Sequence, residues 1–285
     1  MEVKNTSAEE IAVHKVKLND LTEVNDAVAT EEPLEISLAW KSEGKNNVKV
    51  ISVTMRTPGN DPELATGFLF TEGIIKSKDA IKSAVAHFFA ENKITVVLNE
   101  GYVPELQQTE RNFYTTSSCG VCGKASIDAI KTVSVFEDHK EEIVVDAAVF
   151  YTLSEKLRNR QATFNSTGGL HASALFDLQG NFISLQEDVG RHNALDKIIG
   201  ASLTGGKLPL ANSILLLSGR ASFELVQKAM MAGIKVIAAI GAPSSLAVKA
   251  AKECGITLIG FLRNEGFNIY SNKERIRLIK ENTLA

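Results

Sequence analysis

The chain has 285 residues, 44% of them apolar and 23% charged, which suits one large or two moderate globular domains and excludes fibrous, collagen-like and wholly disordered classes. With 31 Lys and Arg against 34 Asp and Glu, the net charge is -3, so no global basic field draws in nucleic acid or an anionic membrane. The first thirty residues interleave charges with isolated apolar positions, so no signal peptide is expected; no apolar run approaches the roughly 18 residues of a membrane span, and three cysteines, an odd count, fit a reducing, cytoplasmic compartment.

Short alternating runs at residues 11–18, 34–40, 48–55 and 94–98 predict half-buried strands. One helix interrupts them, with Asp61 as N-cap, Pro62 at the first helical position and Gly73 at the end. This part, residues 1–112, is expected to form a small α+β domain. Residues 113–145 are expected to be a flexible loop and linker, because 115–125 are small, polar and glycine-containing. Within them a short helical pattern covers 125–131. The remainder, 146–285, predicts a helix over 146–160, a hairpin of 172–176 and 182–185, and a helix over 191–202. Alternating strands and helices follow at 214–217, 222–232, 234–240, 245–254 and 256–262. Gly233 and Gly255 fall at helix C-caps. Continuous apolar strands joined by helices predict parallel pairing, with ligands beyond the strands' carboxyl ends. Those ends are the small-residue loops 218–221, 241–244 and 263–266.

Four stretches carry chemistry. Cys119-Gly120-Val121-Cys122 suits a reactive thiol, a dithiol pair or an incidental pair. Zinc is disfavoured, because neither a second Cys-x-x-Cys nor a His-x(3–5)-His pair completes a site. A helix start and Lys124 would both favour a thiolate there, whereas Cys254, at a helix C-terminus, is expected to be packing. Gly168-Gly169-Leu170-His171 offers backbone donors beside an imidazole. The segment from Glu187 to Lys197, containing Arg191 and His192, sets six ionisable side chains at a helix start; a ligand site and a solvated helix end with Asp188 as cap fit it equally. Ser218-Gly219-Arg220 before Ser222 makes a workable phosphate site without a Walker motif.

Read together, Thr116 to Lys124, Ser166 to His171, Glu187 to Lys197, Ser218 to Lys228, Arg56-Thr57-Pro58-Gly59, Gly67 to Ile75, Ala242 to Val248 and Gly260 to Arg263 resemble the formate dehydrogenase accessory sulfurtransferase family over about residues 30–270. The resemblance implies a sulfur carrier. A cysteine desulfurase would load Cys119 with persulfide sulfur, with Cys122 assisting release. The sulfur would then pass to a molybdenum or tungsten bis(molybdopterin guanine dinucleotide) cofactor, held as bound substrate and destined for formate dehydrogenase. It also implies that Phe261, Leu262, Arg263, Asn264, Glu265 and Gly266 contact that cofactor; Gly168, Gly169, His171, Arg191, His192, Ser218, Gly219 and Arg220 join them on the backbone-donor and charge reading above. The expected fold class is α/β, a cytidine-deaminase-like αβα domain with a smaller α+β N-terminal domain. The deaminase zinc-motif positions here read Gly190-Arg191-His192-Asn193 and Gly219-Arg220-Ala221-Ser222, arginines in place of ligands. The rival readings are a noncatalytic cofactor chaperone and a thiol-disulfide oxidoreductase. A homodimer is the base-rate expectation.

Overall fold

The computed structural model describes residues 7–86, 92–106, 136 and 143–278. The Cys119–Cys122 pair and the 125–131 helical pattern lie outside those residues, as does most of the expected linker.

The chain opens with a two-stranded antiparallel ribbon, β1 (Ala8–Lys17) and β2 (Asp20–Ala29). Its alternation predicts burial of one face, yet Val16 is 68% and Leu21 65% exposed, because among the described residues the ribbon pairs with no third strand. Next come β3 (Glu32–Ser42), β4 (Lys45–Arg56), β5 (Ile81–Ala86) and β6 (Lys93–Leu98), a four-stranded mixed sheet in the order β4-β3-β6-β5. β3 pairs antiparallel with β4 and parallel with β6.

Between β4 and β5 runs α1 (Asp61–Thr71), which has Pro62 in its first turn and Asn60, not Asp61, as N-cap. Asp61 is engaged elsewhere. Both its carboxylate oxygens accept from the buried Arg56 guanidinium, at 2.9 and 3.0 Å. The helix is buried nearly all round, as expected for one sandwiched between layers.

The second sheet has six strands in the order β13-β12-β11-β10-β8-β9: β8 (His171–Asp177), β9 (Phe182–Asp188), β10 (Ser213–Leu217), β11 (Val236–Ala239), β12 (Thr257–Arg263) and β13 (Gly266–Ser271). β10, β11 and β12 run parallel, and β8 and β13 are antiparallel to their neighbours. Side chains on successive strand residues point to opposite faces, and here both faces are covered. Leu215, Leu217, Ile237 and Ala239 pack with α4 (Arg191–Thr204), α5 (Phe223–Met231) and α6 (Ser245–Glu253). Ile214, Leu216, Val236 and Ala238 pack with Phe150, Leu153 and Leu157 of α2 (Ala147–Arg158). A short α3 (Ala162–Thr167) leads into β8, and a two-residue parallel pairing joins β7 (Val145–Asp146), just before α2, to β14 (Ile276–Arg277).

One core runs from Leu34 and Ile36 of β3 through α1 and α4 to Leu258 of β12, so the two expected units share it. Their junction is an unusually close helix crossing. A Cβ on Gly67 of α1 would lie 1.9 Å from the Asp196 carbonyl oxygen, and one on Gly200 of α4 would lie 1.9 Å from the Glu63 carbonyl oxygen. Only hydrogens fit there.

Candidate functional site

The charged stretch 187–197 is largely internal. Asp188, at the end of β9, has no exposed surface; its carboxylate takes the Lys197 ammonium at 2.7 Å and amides of Gly190 (2.8 Å) and Thr57 (3.2 Å). The Lys197 ammonium also donates to the Thr57 carbonyl at 2.8 Å. Asp188 is thus a buried anchor between β4 and α4, while Gly190 occupies the N-cap position of α4. Further along α4, Asp196 receives the Lys228 ammonium at 2.8 and 3.0 Å and the Thr71 hydroxyl at 2.8 Å. Burial alone would pull the Lys228 ammonium down, but Asp196 and Glu72 outweigh it and leave its pKa raised. His192 is buried too, its Nε2 2.8 Å from Glu224 and 3.4 Å from the Ser222 hydroxyl. These residues tie α1, α4 and α5 to the first sheet.

The carboxyl ends of β10, β11 and β12 are stitched into one edge. Gly241 donates to the Gly219 carbonyl at 2.9 Å, Ser244 to that of Ala221 at 3.0 Å, and Phe261 to that of Gly241 at 3.1 Å. Arg263 donates to the Ile240 carbonyl at 2.8 Å. Gly219 leaves room for the His171 ring, whose Nδ1 would lie 3.3 Å from a Cβ there. Against this edge opens a cleft of about 660 Å³, within the size range of nucleotide and cofactor sites. Gly168, Gly169, Leu170, His171, Ser218, Ile240 and Asn264 line its sheet-end wall. Ser154, Glu155, Arg158, Asn159, Gln161 and Phe164 form the other, from α2 and α3.

The expected site residues divide accordingly. Gly168, Gly169, His171, Ser218 and Asn264 are brought together on the cleft. The glycine amides are already engaged, Gly168 closing α3 on the Phe164 carbonyl at 2.7 Å and Gly169 donating to the Thr167 hydroxyl at 3.3 Å. Gly219 adjoins His171. Arg220, Arg263 and Glu265 are exposed on the sheet-end loops, and Gly266 is partly so. Phe261 has φ 54°, a left-handed conformation that aromatic residues rarely adopt, and its side chain is 45% exposed. The Leu262 side chain lies in the core beside Ile259, and that of His192 pairs inward with Glu224.

Electrostatics favour a neutral imidazole at the cleft. Burial, then Arg191 and His192, hold His171 below the ordinary histidine range against the opposing pull of Asp188. Hydrogen bonding is incomplete here. Among the described residues, the buried side-chain atoms without a partner are Thr30 Oγ1, Ser154 Oγ, Gln161 Nε2, Ser173 Oγ and Arg191 Nε. Ser154 and Gln161 line the cleft, and Arg191 acts directly on His171. An unmade hydrogen bond on a buried donor costs about 1–3 kcal/mol, and two of these five atoms belong to residues of the cleft wall.

Sequence reasoning missed the α2–α3 wall. Ser154, Glu155, Arg158 and Asn159 sit off the apolar stripe of α2, where polar residues need no explanation, and a six-residue helix leaves no periodic signal. Among the described residues no helix is long and apolar enough to cross a membrane, and no group of three or more His, Cys, Asp or Glu is placed to hold a metal ion.

Comparison with known proteins bears on this architecture. The chain is 48% identical over 260 residues to a protein of Mycolicibacterium paratuberculosis named sulfur carrier protein FdhD, covering 88% of this chain and 92% of the relative. An equally named protein of Sulfolobus acidocaldarius is 42% identical, over 94% of this chain and 98% of the relative. A crystal structure from Desulfotalea psychrophila, assigned as a candidate formate dehydrogenase accessory protein, matches with a TM-score of 0.73 at 24% identity, over 95% of this chain and 99% of that one. It supports the mixed α/β fold alone. The FdhD/NarQ family model matches residues 29–277, from the end of the ribbon to the last strand. The chain belongs to the FdhD/NarQ family.

Proposed function

We propose that the protein is a sulfur carrier in formate dehydrogenase maturation. The observation that carries this is the 42–48% identity, over about nine-tenths of the chain, to relatives named sulfur carrier protein FdhD. In this reading Cys119 is the carrier. Its thiolate attacks the outer sulfur of a cysteine desulfurase persulfide; the donor S–S bond breaks, a new S–S bond forms on Cys119, and the donor leaves as a thiolate. The exchange consumes no oxidant or reductant. Cys122 assists the later release of that sulfur.

The acceptor is the molybdenum or tungsten bis(molybdopterin guanine dinucleotide) cofactor, taken as substrate at the sheet-end cleft. Support comes from the cleft's size, its edge of strand-end loops and three basic residues next to its lining: Arg191 acting on His171, Arg263 bonded to Ile240, and Arg220 following Gly219. Pyrophosphate groups would lie on these loops and near His171, with the outward-turned Phe261 beside them. The hairpin β8–β9 joined to parallel β10–β12, with helices on both faces, supports the cytidine-deaminase-like reading of the larger unit. A cytoplasmic location and a twofold dimer complete the proposal.

Incubation with a cysteine desulfurase and ³⁵S-cysteine tests it. The wild type and Cys254→Ser take up reductant-labile label, and Cys119→Ser does not. Equal labelling of Cys119→Ser would overturn Cys119 as the carrier, and an unlabelled wild type would instead favour a chaperone that carries no sulfur.

A further inference from the structure

We infer that the β1–β2 ribbon is the docking arm for the acceptor protein, the cofactor-free dehydrogenase, a step that rests on the sulfur-carrier reading above and adds the surface its client holds. Ten residue pairs, from Ala8 with Ala29 to Lys17 with Asp20, join the two strands, so the ribbon extends about 30 Å along their direction. Among the described residues neither strand pairs with a third. All but its last residue precede residues 29–277, which the family model matches. At the tip Leu18 is 92% exposed, next to Val16 and Leu21, which stand opposite one another in the register. Three large apolar side chains this far from either core stabilise nothing in the free protein, whereas burial in a partner removes them from water.

Position and charge together point to the acceptor. At its foot the ribbon packs on α3 of the cleft wall, and the Ala29 Cβ lies 3.3 Å from where a Cβ on the cleft residue Gly169 would sit. A protein gripping the ribbon is therefore held beside the cleft from which the ligand leaves. The strands carry Glu9, Glu10, Asp20, Glu23 and Asp26 against Lys15 and Lys17. Lys17 faces Asp20, while Glu9, Glu10, Glu23 and Asp26 stand opposite no Lys or Arg, so the acidic excess lies towards the foot, on the cleft side. Its complement is a cationic surface. A cofactor-free dehydrogenase awaiting a ligand with two pyrophosphates presents one, because its open cavity must offer Arg and Lys to those phosphates. A second copy meeting this ribbon with its own brings the same acidic excess, and an anionic membrane repels it.

The test measures binding of the full chain to the catalytic subunit of formate dehydrogenase, prepared without cofactor, at low and high salt. Combining Val16→Ser, Leu18→Ser and Leu21→Ser removes the apolar tip and is expected to weaken binding about tenfold. Combining Glu9→Lys and Glu10→Lys, both exposed, is expected to weaken it about fivefold at low salt and less at high salt; it provides the reading on its own if the tip variant does not fold. Both variants should keep the wild-type melting midpoint, solution mass and desulfurase-dependent labelling. Client affinity within twofold of wild type in both variants would overturn the inference. So would a loss of labelling, which makes the ribbon a desulfurase contact, or a fall in solution mass, which makes it a contact between copies. A wild type that does not bind the cofactor-free subunit would overturn the client reading itself, and the docking arm with it.

Discussion

Two polar regions lie within one chain, the ion pairs around α4 and the cleft beside α2 and α3, and they differ in one respect. Around α4 the polar groups meet one another: Asp188 with Lys197, Asp196 with Lys228 and Thr71, and His192 with Glu224. In the cleft wall, Ser154 and Gln161 hold buried polar atoms that meet nothing. Residue type does not separate the two regions, since both hold groups that a sequence reader marks as functional. Satisfaction does. A closed network rigidifies the fold, whereas a buried polar atom that meets nothing costs stability.

Breaking the closed region should have the largest effect. Lys228→Met leaves Asp196 buried without its cation and is expected to cost about 3–5 kcal/mol in urea unfolding. Adding Asp196→Leu should recover much of that loss, because the uncompensated charge is then gone. The helix crossing comes next. Gly200→Ala forces α1 and α4 apart and should cost upwards of about 2 kcal/mol, without altering desulfurase-dependent labelling per folded molecule.

Variants on the open region should spare stability and change binding. Arg220→Ala removes an exposed guanidinium from the sheet-end loop. It is expected to weaken guanosine diphosphate binding about three- to tenfold, leave the unfolding midpoint unchanged and leave sulfur loading intact; unchanged affinity would remove Arg220 from the site.

The smallest effect is a pH slope. His171 is held below the ordinary histidine range by burial, with Arg191 adding to it. Below about pH 6.5 the unfolded chain therefore binds a proton that the folded chain does not. Stability is full above that pH and declines as pH falls towards the folded-state pKa. In His171→Gln, urea midpoints at pH 7.5 and 5.5 should lie closer together than in the wild type.

Much of the fold is legible in the residues. Residues 236–239 and 214–217 are apolar throughout because both faces of their sheet are covered, and Gly233 and Gly255 have φ of +75° and +63°, as helix C-caps require. β2 was not legible, because Asp20, Glu23 and Asp26 belong to a ribbon that buries little and needs no apolar face. Asp61 looked like a cap, but the nearby Arg56 claims it. At the site, the strand-end loops follow from the alternation of strands and helices. The α2–α3 wall does not, since nothing in the letters Ser154 and Gln161 says that their polar atoms will be buried and unmet.

The central claim is that Cys119 carries sulfur, and mass spectrometry of freshly purified protein tests it most directly. The peptide containing Cys119 should carry the added mass of one sulfur atom, lost on treatment with reductant, while the peptide containing Cys254 should carry none. An unmodified Cys119 peptide after incubation with desulfurase and cysteine, or an added sulfur that stays when Cys119 is replaced by serine, would contradict it.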